Sequence, residues 1–213
     1  MTSFLDRKPA VSDRRALYAG VGALAFAALA GAVASPSPRR QAVPNARLLT
    51  HDGRRVRFYD DLVRDRIVVV NATYTTCSNV CPPATANLRE VLRLLGPRAG
   101  RDVFLLSLTL LPEHDTPESL RTYRQHYQIG RGWTFLTGAP DDVRSVRVGL
   151  GLYDRDPAVD QDLTQHAAML RIGNDAYDRW CMAPALSEPE QICEAIRAVD
   201  PHKRPIGHSR RWA

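Results

Sequence analysis

The stretch RIVVVNATYTTCSNVCPP, residues 66–83, joins an apolar strand to a pair of cysteines and a pair of prolines. Residues 66–73 form a nearly continuous β-branched run, which is typical of a strand covered on both faces of a sheet. Pro82 and Pro83 stand where the first turn of a helix tolerates proline. Residues 66–83 therefore predict a central strand that leads through a short cysteine loop into a helix, as in an α/β domain.

Strands and helices alternate on either side of this stretch. Residues 47–58 predict a short hairpin around an Asp-Gly turn, and Gly173-Asn174-Asp175 predicts the turn of a second hairpin. The other predicted elements are helix 82–95, strand 102–110, helix 116–128, strand 133–136, helix 141–152, strands 168–172 and 177–181, and helix 188–199. This order predicts a thioredoxin-like α/β domain over residues 47–200, with an extra N-terminal β-hairpin.

An apolar segment precedes the predicted domain. Residues 16–34 contain 19 residues without a charge and follow the Arg14-Arg15 pair. As a helix they would reach about 28 Å, just enough to cross the hydrocarbon core of a membrane. We expect one N-terminal apolar helix that anchors the protein, with residues 1–15 in the cytoplasm and a linker at residues 35–46.

Removal of this segment is the alternative, because Ala32-Val33-Ala34 matches a signal-peptide cleavage pattern. Under either interpretation the domain lies on the extracytoplasmic, periplasmic side of the cell membrane. It is anchored there by residues 16–34, or soluble in the periplasm after cleavage behind Ala34.

The formal charge of +6 lies at the two ends of the 213-residue chain. Residues 1–34 carry a net charge of +2 and the basic tail at residues 201–213 carries +4, whereas residues 35–200 hold 21 charges of each sign. A basic groove on the domain is therefore not expected, which argues against a nucleic-acid partner.

Cys77 and Cys81 are predicted at the carboxyl end of the central strand, where ligand sites of open α/β sheets lie. The helix that begins after Cys81 is expected to lower the pKa of its thiol. Two adjacent thiolates either form a disulfide or bind a soft metal such as Cu(I) or Zn(II). The spacing differs from the Cys-x-x-Cys of dithiol oxidoreductases, which favours a metal, and an inert structural disulfide is a further alternative.

A soft metal on two thiolates usually takes a third ligand, and imidazole suits copper. His166 stands where the chain enters the penultimate strand, a position that an ordinary surface or capping histidine also occupies. Met169 is expected in the core rather than as a fourth ligand. Cys193 is expected to be half-buried in the last helix, with a disulfide to Cys181 as an alternative. The competing histidines are His51, His114, His126, His202 and His208.

Four features together resemble the Sco/SenC family of copper chaperones for cytochrome c oxidase. They are the block TTCSNVCP at residues 75–82, the segment PEHDTP at residues 112–117, the isolated His166 and the N-terminal apolar segment. The resemblance covers residues 45–199. It implies a thioredoxin-like domain tethered to the outer side of a membrane, and it implies that Cys77, Cys81 and His166 bind copper as Cu(I) or Cu(II).

The chain departs from the family pattern near the site, which marks it as a divergent member. Ser78 replaces the usual proline after the first cysteine, and Asn79 and Gln165 stand where acidic residues are common. Leu111-Pro112 replaces an Asp-Pro pair.

The resemblance implies a metallochaperone rather than an enzyme. It would deliver copper to a thiolate-rich site on the copper-receiving subunit of a respiratory oxidase during assembly, and would meet other copper carriers or thiol reductants. The alternative is an extracytoplasmic thiol-disulfide oxidoreductase, in which Cys77 and Cys81 form a redox pair that keeps a partner's metal-site cysteines reduced.

Overall fold

The computed structural model describes residues 43–163, 166 and 168–202. Within them, seven strands form one mixed sheet in the order β2-β1-β5-β4-β3-β6-β7. The elements are β1 (Arg47–Thr50), β2 (Arg55–Arg57), β3 (Ile67–Thr73), α1 (Cys81–Leu95), β4 (Val103–Thr109), α2 (Pro117–His126), β5 (Trp133–Gly138), α3 (Pro140–Gly149), α4 (Pro157–Gln161), β6 (Met169–Asn174), β7 (Arg179–Pro184) and α5 (Pro189–Val199).

The strand β3 is buried along its whole length, as its β-branched sequence predicts. It pairs in parallel with β4, which pairs in parallel with β5. On the other side β3 pairs antiparallel with β6, and β6 with β7. The antiparallel pair β1 and β2 extends the sheet beyond β5. The predicted α/β class is confirmed, and the chain is long enough to cover the sheet on both faces.

Two apolar clusters cover the two faces of the sheet. On one face, Leu88 of α1, Leu120 of α2 and Ile196 of α5 pack against β3, β4 and β5. On the other face, Val146 of α3 packs against β-strand residues such as Val70. Burial of side chains of this size stabilises the fold by about 1.5–3 kcal/mol each, so the helices are fixed to the sheet mainly by these contacts.

The second hairpin turns later than predicted. Gly173 and Asn174 continue β6, and the turn lies at Asp175–Tyr177 with Asp178 at a positive φ of 48°. Gly173 pairs with Trp180 of β7, and a Cβ atom there would lie 2.0 Å from Cε3 of the Trp180 ring. Gly173 therefore leaves room for an indole and does not form the turn.

A buried ion pair connects the C-terminal end of the last helix to the segment before β4. Arg98 Nη2 donates to Asp200 Oδ2 at 2.7 Å, and Arg98 Nε lies 3.5 Å from Asp102 Oδ2. Arg98 and Asp200 are both almost fully buried. The residue that follows α5 is thereby connected to the segment that precedes β4.

The predicted apolar helix at residues 16–34, most of the linker at residues 35–46 and the basic tail from residue 203 lie outside the described residues. Within residues 43–163, 166 and 168–202, no helix combines the length and the apolar character needed to cross a membrane.

Candidate metal centre

Cys77 and Cys81 lie at the end of β3, on either side of the turn that leads into α1. Cys77 belongs to the loop and Cys81 is the first residue of the helix. The two residues are 7% and 4% exposed. The backbone N–H of Cys81 donates to Sγ of Cys77 at 3.4 Å, so the loop folds back and brings the two side chains together, as predicted. Both cysteines are free thiols in this structure.

The two thiols differ in acidity, and the order is opposite to the one expected from the helix terminus alone. Burial and the hydrogen bond with Cys77 raise the pKa of Cys81 to about 11. Burial also acts to raise the pKa of Cys77, but hydrogen bonds from Cys81, Tyr74 and the backbone of Asn79 outweigh it and lower that pKa. The expected lowering for Cys81 is therefore wrong, because desolvation dominates at the buried first residue of the helix.

Tyr74 belongs to the site although the sequence interpretation did not select it. Its side chain hydrogen-bonds to Cys77, which together with burial raises the pKa of the phenol to about 12. Its carbonyl accepts a hydrogen bond of 3.3 Å from the backbone N–H of Cys77. Tyr74 therefore contacts Cys77 through both its side chain and its backbone and helps to stabilise a thiolate there.

Asp115 supports the cysteine loop from the loop that follows β4. Its carboxylate accepts hydrogen bonds of 2.5 Å from the hydroxyls of Thr75 and Thr109, and a longer one of 3.3 Å from the backbone N–H of Thr75. Asp115 is 1% exposed, so these donors compensate for burial of a charge. It lies in the PEHDTP segment that was noted in the sequence, but its contact with the loop could not be read from the chain.

His166 lies next to the thiol pair without joining it. It lines a narrow cavity together with Cys81 and Ala72. A hydrogen bond connects the imidazole to the backbone of Ala72, and the buried Nε2 atom has no hydrogen-bond partner. The bond to Ala72 is therefore made by Nδ1, which leaves a lone pair on Nε2.

The electrostatic surroundings of His166 favour the form that binds metals. Burial lowers the pKa of the imidazole, against the opposing effect of the hydrogen bond to Ala72. A neutral ring with Nδ1–H held by a carbonyl and Nε2 unpartnered is the usual state of a histidine that ligates a metal.

The expected set of three ligands is not assembled in this structure. Among the described residues, no three His, Cys, Asp or Glu side chains lie close enough together to hold one metal ion. Of the competing histidines, His51 is buried in the first hairpin, where Nδ1 accepts a hydrogen bond from the backbone of Phe135, while His114 and His126 are exposed. Among the histidines of residues 43–163, 166 and 168–202, His166 thus shares a cavity with Cys81.

The other two cysteines lie away from this loop. Cys193 lies in α5 as expected, but it is buried in the cluster between α5 and the sheet rather than half-buried. Cys181, in β7, points its sulfur at the carbonyl of Ala195 at 3.9 Å. Both are free thiols here, so the disulfide considered between them is not formed in this structure.

The fold and the loop define a thioredoxin-like domain with a buried thiol pair at the end of its central strand. The family model described as SCO1/SenC matches residues 35–199 of this chain. The chain belongs to the SCO1/SenC family.

Individual relatives are distant. A protein of Stutzerimonas stutzeri, named for copper binding, is 26% identical over 115 residues, which are 54% of each chain. The structure of Bradyrhizobium japonicum ScoI with copper bound superimposes with a TM-score of 0.58 at 24% identity, covering 74% of this chain and 99% of that one. BsSco superimposes with a TM-score of 0.60 at 20% identity, covering 76% of this chain and 95% of that one. A disulfide switch was identified in BsSco, which is described as a member of the Sco family of cytochrome c oxidase assembly proteins. The chain matches about half the length of its curated relatives.

Proposed function

We propose that this protein binds copper at Cys77 and Cys81, with His166 as the third ligand, and delivers the ion to a thiolate-rich site of a respiratory oxidase during its assembly. Membership of the SCO1/SenC family supports the copper, and so do the names of the copper-binding relative and of the copper-bound structure. Delivery to an oxidase rests on the description of BsSco.

One observation carries the proposal for this chain. The imidazole of His166 lines a narrow cavity together with the buried Cys81, and its buried Nε2 atom has no hydrogen-bond partner. A buried nitrogen without a partner normally costs free energy, so a ligand that uses its lone pair would compensate that cost. Two thiolates and one imidazole form a donor set that suits Cu(I) and Cu(II).

Binding must displace protons, because copper is ligated by thiolates. Since the pKa of Cys81 is about 11, this thiol is protonated near neutral pH, and copper affinity is expected to rise with pH. Binding of the ion would also bring the imidazole and the two thiols, which do not form one ligand set in this structure, close enough to ligate it together. The protein would release copper by ligand exchange, in which the cysteines of the recipient replace Cys77, Cys81 and His166 on the ion.

Substitution of His166 by alanine tests the proposal. We expect anaerobic Cu(I) affinity to fall about tenfold to a hundredfold or more, since the loss of even a supporting residue has an effect of that size. The same variant should still form the Cys77–Cys81 disulfide and should fail to support oxidase assembly. His126→Ala is the matched control, because His126 is exposed at the end of α2 and should leave both properties unchanged.

A thiol-disulfide oxidoreductase is the second candidate, and the unequal thiols favour it. A lowered pKa at Cys77 beside a raised pKa at Cys81 is the arrangement expected of an attacking thiolate and a resolving thiol. This function does not need His166. A His166→Ala protein that loses copper but keeps oxidase assembly intact would favour this candidate and rule out the chaperone.

The proposed site of action is the extracytoplasmic side of the cell membrane. Residues 16–34 would anchor the protein there, and copper carriers or thiol reductants of that compartment would be its partners. The charge-balanced domain between the two basic ends of the chain supports a protein partner over a nucleic acid.

A further inference from the structure

His166 also lines a second cavity, and this cavity contains both internal methionines of the chain. The protein has three methionines, of which Met1 is the first residue. Met169 and Met182 line a cavity of about 90 Å³ together with His166, Asp160 and Asp154. His166 therefore lines both this methionine cavity and the narrow cavity that it shares with Cys81.

The sheet brings the two methionines to one face. In the antiparallel pairing of β6 with β7, Met169 lies opposite Pro184 and Arg171 lies opposite Met182. Because opposite residues, and residues two apart in a strand, share a face, Met169 and Met182 are diagonal neighbours. Arg171, between them, places its guanidinium 5.5 Å from the centre of the Trp180 ring.

The exposure of these sulfur and nitrogen ligands decreases toward the thiol pair. Met182 is 41% exposed, which is unusual for a long apolar side chain in this domain. Met169 and His166 are half-buried, and Cys81 is 4% exposed. An ion that arrived from solvent would thus meet the exposed Met182 before the buried Cys81.

Both carboxylates of the cavity accept hydrogen bonds from the protein. Asp160 accepts two hydrogen bonds of 2.7 Å from the guanidinium of Arg147, and Asp154 accepts one of 2.9 Å from the backbone N–H of Asp156. The soft ligands that line this cavity are two thioethers and the imidazole of His166, whose Nε2 atom has no hydrogen-bond partner. Thioether sulfur selects Cu(I) over hard cations such as Mg²⁺ or Ca²⁺.

We propose that Met169, Met182 and His166 form a Cu(I) acceptance site, from which the ion passes to Cys77 and Cys81. His166 lines both cavities, so its Nε2 atom would stay on the ion while the thioether ligands are exchanged for thiolates. No electron is transferred, since the ion stays Cu(I) and the two thiols lose their protons as they bind it. This inference rests on the proposed copper function for its direction of transfer, but the methionine site can bind an ion by itself.

Silver tests the acceptance site, because Ag(I) has the ligand preferences of Cu(I) and is not redox-active. The experiment uses the full chain carrying Cys77→Ser and Cys81→Ser, labelled with ¹³C at the methionine methyl groups. One equivalent of Ag(I) should shift the methyl resonances of Met169 and Met182. Cys181→Ser and Cys193→Ala are added to this variant and to every variant compared with it, because the two remaining free thiols would otherwise compete with the thioethers for Ag(I).

Adding Met169→Leu and Met182→Leu to this variant should weaken Ag(I) binding about tenfold or more. Leucine keeps the volume and removes the sulfur. Leu186→Met, made in the same background, returns an exposed thioether outside the cavity and should not restore binding. Unshifted methyl signals in the Cys77→Ser, Cys81→Ser protein, or equal affinity with and without the two methionines, would overturn the acceptance site.

Failure of the acceptance site is distinguishable from failure of the proposed function. If the wild-type chain binds one Cu(I) tightly and the double-serine variant shows no methyl shifts, the thiolate site stands and the methionine site is rejected. If the double-serine variant keeps the full wild-type affinity, the thiolate site is rejected, and the methyl shifts decide the methionine site independently.

Discussion

Replacing Asp115 by alanine is expected to weaken copper binding although Asp115 is not a proposed ligand. The carboxylate accepts hydrogen bonds from the hydroxyls of Thr75 and Thr109, and Thr75 lies two residues before Cys77. Without the carboxylate, the start of the cysteine loop loses its connection to the loop after β4. The two thiols would then have to be ordered by the metal itself.

The expected magnitude follows from these contacts. Two hydroxyl bonds of 2.5 Å to a charged acceptor contribute at least about 1.5 kcal/mol each, so the apoprotein should lose about 3 kcal/mol of its free energy of unfolding. For copper affinity, the loss of a residue that orients the ligands costs about tenfold to a hundredfold. The 3.3 Å bond from the backbone N–H of Thr75 is longer and adds less.

Two measurements on each variant separate positioning from stability. Urea unfolding of the apoprotein gives the free energy, and anaerobic competition with a chromogenic chelator gives the Cu(I) affinity. Thr116→Ala is the matched control, because Thr116 is the next residue along the chain and its hydroxyl caps α2 by accepting a 3.2 Å hydrogen bond from the backbone N–H of Ser119. Losing this cap should lower the free energy of unfolding by about 1 kcal/mol without changing the contacts of the cysteine loop. If Asp115→Ala binds copper as tightly as Thr116→Ala does, the positioning role is refuted.

Three further predictions concern the thiols and the N-terminal segment. Replacing either Cys77 or Cys81 by serine should abolish stoichiometric copper binding, because one thiolate and one imidazole leave the ion under-coordinated. Metal analysis measures this, and tight one-to-one binding in either variant would place the site elsewhere. Iodoacetamide should modify Cys77 before Cys81. By mass spectrometry, the Cys77 rate should level off at a lower pH than the Cys81 rate, which should rise toward about pH 11; equal profiles would contradict the unequal pKa values. The mature protein should stay with membranes through a high-salt wash, since apolar insertion does not depend on ionic strength, whereas an N-terminus at Ser35 by sequencing would establish cleavage.

The strand-forming run at residues 67–73 could be predicted because burial on both faces leaves a continuous apolar sequence. The thiol pair could be predicted for a related reason, since the loop that follows such a strand lies at the ligand-binding edge of the sheet. These features depend on local sequence and on one general rule of α/β topology.

Features that depend on distant contacts could not be predicted. The sequence Gly173-Asn174-Asp175 predicts a turn, yet Gly173 continues β6 because the Trp180 ring occupies the space where a Cβ atom would lie. The acidity of Cys81 was predicted from the helix terminus, whereas burial against several other elements raises its pKa. The contact between Asp115 and Thr75 spans 40 residues and has no local signal.

The buried Arg98 determines where this domain can be shortened. A chain cut after Val199 would retain every residue of α5 but lose Asp200, one carboxylate partner of a cation that is almost fully buried. Removal of a partner from a buried pair typically costs about 3–5 kcal/mol, which is a large part of the stability of a domain this size. A chain cut after His202 would keep the pair. The C-terminal boundary of the folding unit is thus set by a single charge beyond the last helix, and not by the last apolar residue of the core.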